Sequence, residues 1–123
     1  FEIIEQRHGA TPDMALMLAD NGQQKAYVTG SEVPLGEIDL AMISVEVSVN
    51  GEVRERAPGS AVLERGPIAS VAWLANKLAT FGRHLEPGMR VMSGSFTRQV
   101  DITSGDTVQA RFDRIGTVTA HFE

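Results

Sequence analysis

Along residues 41–49 the apolar side chains fall on every second position. Ile43, Val45, Val47 and Val49 alternate with Ser44, Glu46 and Ser48. A period of two marks a strand with one buried face. Asn50-Gly51 follows at once, a pair that readily adopts the left-handed conformations of a two-residue hairpin turn, so residues 52–56 are predicted to return antiparallel. At 67–81 the period changes. Ile68, Val71, Ala72, Ala75, Leu78 and Ala79 recur at i, i+3 and i+4, between Pro67 at the first helical position and Gly82 at the close. This predicts the one substantial helix. Trp73 and Leu74 widen its apolar stripe, so cover on more than one side is expected.

The remaining elements are shorter. Phe1 to Glu5 reads as a strand. Thr11-Pro12-Asp13 reads as a helix start, with Thr11 as N-cap and Pro12 at the first helical position. Met14, Leu16, Met17 and Leu18 then form a short helix ending near Asp20-Asn21-Gly22, where Asn and Gly tolerate the left-handed backbone of a helix end. A strand is predicted at 25–29 and a loop at 30–36. Past the Pro87-Gly88 turn, strands are predicted at 90–93, 99–102, 107–114 and 117–122. Turns are expected at Ser104-Gly105-Asp106 and Ile115-Gly116. No internal repeat or domain boundary interrupts the chain, and the pattern is that of a strand-rich α+β domain with one main helix.

Composition narrows the function classes. At 123 residues the chain fits a single domain. A net charge of −5 without any basic block argues against a nucleic-acid backbone or an anionic membrane as partner. The absence of cysteine excludes disulfides, thiolate zinc sites and a cysteine nucleophile. No apolar run approaches the ~18 residues of a membrane helix, and no signal-peptide pattern opens the chain, so a cytoplasmic location is the default expectation. The chain opens at Phe1 inside an apolar run, without the turn or linker that precedes a strand. It therefore reads as a segment of a longer protein.

There is no P-loop, HExxH or GxSxG motif, so candidate chemistry rests on scattered carboxylates, hydroxyls and glycines. Glu2 stands beside Ile3 and Ile4, where an ionised carboxylate is costly unless it is paired or binds a cation. A solvated strand end or a pair with Arg7 is the plainer reading. Glu5, three residues on, points to the other face of a strand. Asp20 and Asn21 could orient water or a ligand, although capping explains them as well. The corner Ser93-Gly94-Ser95, followed by Phe96-Thr97-Arg98, offers hydroxyls at Ser95 and Thr97 and a glycine that lets backbone N–H groups approach a ligand. It reads equally well as a tight connection. Arg98 reads as a solvated residue able to pair with an acidic neighbour. His8, His84 and His121 lack partners at ligand spacing, and Asn76-Lys77 mark the polar edge of the main helix.

Three stretches, SVAWLANKLATFG (70–82), LEPGMRVMSGSFTRQV (85–100) and SGDTVQARFDRIGTVTAHF (104–122), resemble in that order the C-terminal half of the fumarylacetoacetate hydrolase superfamily. The Ala-Trp-Leu-Ala-Asn-Lys-Leu stretch is similar to the branch of 2-hydroxypenta-2,4-dienoate hydratases and 4-oxalocrotonate decarboxylases. The resemblance implies a mixed β-sandwich roll and a divalent metal, Mg²⁺ or Mn²⁺, held by three carboxylates. Two of these come from a Glu-x-Glu upstream of this chain, and the third matches Glu2 in Glu2-Ile3-Ile4-Glu5-Gln6-Arg7. Asp20-Asn21 matches an Ala-Asp-Asn; where the family usually continues Ala-Ser-Ser, this chain has Gly22-Gln23-Gln24. The Gly94-Ser95 corner matches the family's Gly-Thr or Gly-Ser at the ligand-binding floor, and Thr97, with its hydroxyl two residues on, is expected to bind substrate beside them.

The implied reaction is hydration of a 2-hydroxy-2,4-dienoate to a 4-hydroxy-2-oxo acid in the meta-cleavage degradation of aromatic compounds. The alternative within the superfamily is a decarboxylase, and the Ser-Phe-Thr-Arg run leans towards the hydratase. The implied partners are a small 2-oxo acid, the upstream half of the domain, and further copies in a homo-oligomer. The alternative from another class is a non-catalytic assembly module. On the resemblance, residues 1–123 are the C-terminal part of a catalytic domain and are inactive alone.

Overall fold

Asn50 and Gly51 both take positive φ, 53° and 82°, and turn β3 (Ser44–Val49) back into β4 (Glu52–Pro58). The computed structural model describes residues 1–7 and 13–123. The expected cap at Thr11, with Pro12, and also His8 lie outside the described residues. Within them, Asp13 caps α1 (Met14–Ala19): its Oδ1 accepts from the Ala15 and Leu16 N–H groups at 2.9 and 3.1 Å. A 3-10 segment, Asn21–Gln23, follows, with φ of 52°, 67° and 64° at Asn21, Gly22 and Gln23.

The remaining strands are β1 (Glu2–Ile4), β2 (Gln24–Tyr27), β5 (Thr107–Phe112) and β6 (Gly116–His121). They form two sheets, a two-stranded β1-β2 and a four-stranded β4-β3-β5-β6, with every described pairing antiparallel. The register sets Val45 opposite Phe112, Val47 opposite Ala110 and Val49 opposite Val108. Directly opposed residues project to the same face, so these six side chains make one apolar face. Val45, Val49, Val108 and Ala110 are buried there. The other face is polar. On it Glu46 lies opposite both Arg56 and Arg111 and bridges them at 2.6 and 3.3 Å.

The strands expected at 90–93 and 99–102 do not form. β3 and β5 are paired on both sides within the sheet, and the segment does not add to the outer edge of β4 or of β6. Residues 90–102 instead run extended along the apolar face, with Val91, Phe96, Val100 and Ile102 half-buried. Side chains rather than ladder bonds hold this segment. Arg90 Nη1 donates to the Tyr27 hydroxyl at 3.1 Å and stacks 5.7 Å from its ring. Phe96 meets Phe112 edge to face at 5.8 Å, and Arg98 Nη2 lies 3.2 Å from Glu55 Oε1.

The main helix is α2 (Pro67–Ala79), entered from a 3-10 segment, Gly59–Glu64. Gly59 must be glycine, because a Cβ there would overlap the Leu40 carbonyl oxygen and crowd Phe96. The expectation that α2 is covered on more than one side is not met. Only Pro67 is buried, while Ile68, Trp73 and Phe81 are 54, 59 and 69% exposed. Among the named elements the helix packs chiefly on the 3-10 segment before it, so its apolar stripe lacks a second wall. The chain as a whole exposes 9041 Å², where a compact monomer of this mass would expose about 6,500 Å². No helix among the described residues is long and apolar enough to cross a membrane.

Candidate functional site

The strip between the 90–102 segment, the apolar face of the four-stranded sheet and β1 is a cavity of about 440 Å³, within the size range of small-molecule sites. Its walls are Val45, Val47, Ala110 and Phe112 on the sheet side and Val91, Val100 and Ile102 opposite. Glu2, Gly94, Ser95 and Thr97 line it together. Four of the six expected site residues therefore converge on one space, although ninety residues of chain separate the first from the others.

The floor is shaped by backbone. Gly94 has φ of 110°, a conformation that L side chains rarely adopt, and a Cβ there would stand 3.2 Å from Val62 Cγ1. Val62 is 2% exposed, so the corner rests on the buried entrance to α2. The Ser95 hydroxyl donates to the Thr97 carbonyl at 2.7 Å. This bond closes the corner on itself and leaves the Ser95 oxygen as an acceptor; donation to a ligand requires the O–H to turn away from Thr97.

Glu2 is exposed at the start of β1, and its Oε1 accepts from Gln24 Nε2 at 3.2 Å. Gln24 Oε1 in turn lies 3.4 Å from Asn21 Nδ2, so Asn21 reaches Glu2 through one amide. Asp20 and Asn21 are not lining residues; Asn21 connects to the lining through Gln24 and Glu2. Arg7 does not pair with Glu2. It pairs with Asp20 at 2.9 Å and Glu5 at 3.3 Å, and donates to the Gln24 carbonyl at 3.3 Å. Asp20, foremost, raises the Arg7 guanidinium further above its ordinary value. Lys25 at 2.6 Å, with Arg7, holds the Glu5 carboxyl below the usual range. Glu5, just past the end of β1, is thereby paired with Lys25 and Arg7 rather than with the residues around Glu2.

Gln24 and Phe96 were not singled out from the sequence. Phe96 followed a serine-glycine corner, and its aromatic type was the available signal. Gln24 carried none, because its role depends on three successive left-handed residues that turn it under β1. As oxygen donors, Glu2 fits one position around a hard cation. Among the described residues no group of three His, Cys, Asp or Glu could hold a metal.

The sequence profile described as "Fumarylacetoacetate (FAA) hydrolase C-terminal" matches residues 6–123. A 4-oxalocrotonate decarboxylase of Pseudomonas putida is 37% identical over 123 residues, covering 98% of this chain and 46% of that protein. A 2-oxo-hept-4-ene-1,7-dioate hydratase of Escherichia coli is 35% identical over 106 residues, 85% of this chain and 39% of that protein. The solved structure of the Pseudomonas putida 4-oxalocrotonate decarboxylase complexed with magnesium and adipate superposes with a TM-score of 0.91 at 37% identity, over 99% of this chain and 47% of that one. The chain thus spans about half the length of the relatives it matches. With a profile that matches residues 6–123, from just beyond β1 past the Ser-Gly-Ser corner and β6, the chain belongs to the fumarylacetoacetate hydrolase C-terminal family.

Proposed function

We propose that this chain forms the C-terminal part of a divalent-metal lyase that hydrates a 2-hydroxy-2,4-dienoate to a 4-hydroxy-2-oxo acid in the breakdown of aromatic compounds. The observation that carries the reading is the placement of Glu2 and the Gly94-Ser95 corner on one apolar cavity. Relatives named as hydratases and decarboxylases support the reaction class, and the magnesium in the solved relative supports the metal. Glu2 would hold Mg²⁺ or Mn²⁺ with oxygen ligands from outside residues 1–123. The cation supplies Lewis-acid polarisation of the carboxylate and keto oxygens of a 2-oxo acid.

The chain's own residues do the rest. Gln24 and Asn21 orient Glu2, so Asn21 acts as a positioning residue, and Arg7 fixes Asp20 behind it. Ser95, its O–H turned from the Thr97 carbonyl on binding, and the backbone at Gly94 receive the substrate carboxylate, and the Thr97 carbonyl holds that hydroxyl when no substrate is bound. The dienol first gives up its enol proton and gains one at C5, becoming the conjugated 2-oxo-3-enoate. Water then adds across C3=C4, hydroxyl to C4 and proton to C3, between apolar walls that limit the access of bulk water. The default location remains cytoplasmic, and the bare side of α2 supports a homo-oligomer.

The test is Glu2→Gln in the full-length protein with Mg²⁺ and 2-hydroxypenta-2,4-dienoate. Metal-dependent turnover should fall by at least about a hundredfold with an unchanged circular dichroism spectrum. Wild-type metal affinity in that variant overturns the assignment. The second reading, a decarboxylase, is favoured by the solved decarboxylase relative, which superposes with a TM-score of 0.91 over 99% of this chain. Release of CO₂ from 4-oxalocrotonate without hydration of the dienoate decides for it. Absence of both activities and of metal binding in the full-length protein leaves the assembly module.

A further inference from the structure

Asparagine followed by glycine occurs twice in the chain, at Asn21-Gly22 and Asn50-Gly51. Glycine has no Cβ to shield its backbone nitrogen, so that nitrogen can attack the side-chain Cγ of the asparagine before it. All four residues are exposed and left-handed, with φ of 52° and 67° at the first pair and 53° and 82° at the second. In sequence and backbone the two pairs are alike. Their side chains differ. Asn50 is held at both ends of its amide: Nδ2 donates to Asp106 Oδ1 at 2.8 Å, and Oδ1 accepts from the Thr107 N–H at 2.9 Å. The Asn50 N–H also donates to the Thr107 carbonyl at 2.8 Å. Among the described residues, the Asn21 side chain has one hydrogen bond, from Nδ2 to Gln24 Oε1 at 3.4 Å, long for an N–H donor.

We propose that Asn21-Gly22 is a self-modification site, where Asn21 deamidates to aspartate and isoaspartate and so releases Glu2 from Gln24, while the fold spares Asn50. The Gly22 nitrogen bonds to Asn21 Cγ, the Cγ–Nδ2 bond breaks, and Nδ2 leaves as ammonia with the proton of the Gly22 N–H. Water then opens the succinimide ring. Cleavage at Cγ gives aspartate; cleavage at the backbone carbonyl of residue 21 gives isoaspartate, with the chain rerouted through Cβ. No electrons are exchanged. At Asn50 the same attack must first break the grip of Asp106 and Thr107. A carboxylate at position 21 has no N–H to offer Gln24 Oε1 and repels that oxygen. The Gln24 amide turns over to donate to it, and Glu2 loses its bond from Gln24 Nε2. The conversion itself rests on local geometry, and its effect on the metal end of the cavity rests on the lyase reading.

Peptide mapping by mass spectrometry of the full-length protein, aged in mildly alkaline buffer, measures the conversion at each asparagine. Asn21 should convert at least about tenfold faster than Asn50, because the bonds at Asn50 must break before attack. In denaturant the two rates should converge. Gly22→Ala should slow conversion at Asn21; a Cβ there meets no atom within 4 Å, so its cost to the fold is the positive φ alone. Asp106→Ala should speed conversion at Asn50 and leave that at Asn21 as it was. Folded protein in which Asn50 keeps pace with Asn21, or in which Asn21 is no faster than Asn76, which no glycine follows, overturns the proposal. Mg²⁺ titration of turnover reads the effect on the site. Asn21→Asp and aged wild type should both need several-fold more Mg²⁺ for half-maximal activity, and an unchanged requirement overturns the release of Glu2. Fresh protein without any turnover removes the lyase reading and leaves the conversion rates to decide the modification site.

Discussion

Arg7 holds Asp20 through two nitrogens, with Nε at 3.0 and 3.1 Å from the two carboxylate oxygens and Nη2 at 2.9 Å. This grip joins the end of β1 to the end of α1. The same guanidinium reaches the Gln24 carbonyl, and the Gln24 side chain reaches Glu2. Removing the charge should therefore disturb Glu2 at one remove. Arg7→Gln in the full-length protein should raise the Mg²⁺ concentration for half-maximal activity several-fold and lower Tm by on the order of 2–5 °C. Metal titration of activity checks the first and calorimetric melting the second. Unaltered metal dependence would show that Glu2 is oriented without Arg7.

The corner makes two separable predictions. Ser95→Ala should lower kcat/KM by roughly ten- to a hundredfold, the cost of one hydrogen bond to a charged group, with Tm nearly unchanged because Ser95 is exposed. Gly94→Val should lose both activity and stability, since it meets an unfavourable φ and the buried Val62 together. Steady-state kinetics and thermal melts of both variants decide it. If Ser95→Ala retains full efficiency and Gly94→Val only melts earlier, the corner is a turn and nothing more.

Residues 1–123 alone should bind Mg²⁺ feebly, with Kd on the order of 1 mM or weaker, because a hard cation needs several oxygen ligands and this chain brings Glu2. Calorimetry on the isolated chain measures it. Tight one-to-one binding would mean that the ligand set is complete within this chain.

Asp106 sets an acid limit. Its carboxylate accepts from the Thr103 N–H at 2.8 Å, Asn50 Nδ2 at 2.8 Å and the Thr103 hydroxyl at 3.0 Å. These bonds, the Thr103 N–H foremost, hold its pKa below the ordinary value of 3.8. A depressed folded pKa means that the stabilisation is complete above the ordinary value and is lost as pH falls through the lower folded one. Tm of the wild type should therefore drop in that acidic window, and Asp106→Asn should flatten the drop while lowering Tm at neutral pH. A parallel acid profile in the variant would assign the limit to other carboxylates.

Local patterns carried much of this fold. The β3–β4 hairpin follows from strict alternation closed by Asn50-Gly51, and α2 from Pro67, its i, i+3, i+4 stripe and Gly82. What depends on occupancy of space was not legible. Residues 90–102 have strand-like composition, but they lie across the apolar face of the sheet rather than along the open edges of β4 or β6, a choice that no local pattern encodes. For the site, Glu2 and Ser95 came from resemblance rather than spacing. The links that position them, Gln24 to Glu2 and Arg7 to Asp20, span 22 and 13 residues, beyond any local periodicity. Arg98 is the exposed cation with an acidic neighbour that the sequence suggests, but its partner, Glu55 on β4, is not legible from local spacing.

The thin attachment of α2 has a dynamic consequence. Its backbone bonds are internal to a single helix of 13 residues, close to the length at which helices are marginal in water without packing. The amides of β5, by contrast, are laddered on both sides. In the isolated chain α2 should therefore open as a separate cooperative unit, well below the free energy of global unfolding. Amide hydrogen exchange at Val71 to Leu78 should run ahead of exchange at Val108 to Arg111. Any surface that covers Ile68 and Trp73 should slow the helix amides and leave those of β5 as they were.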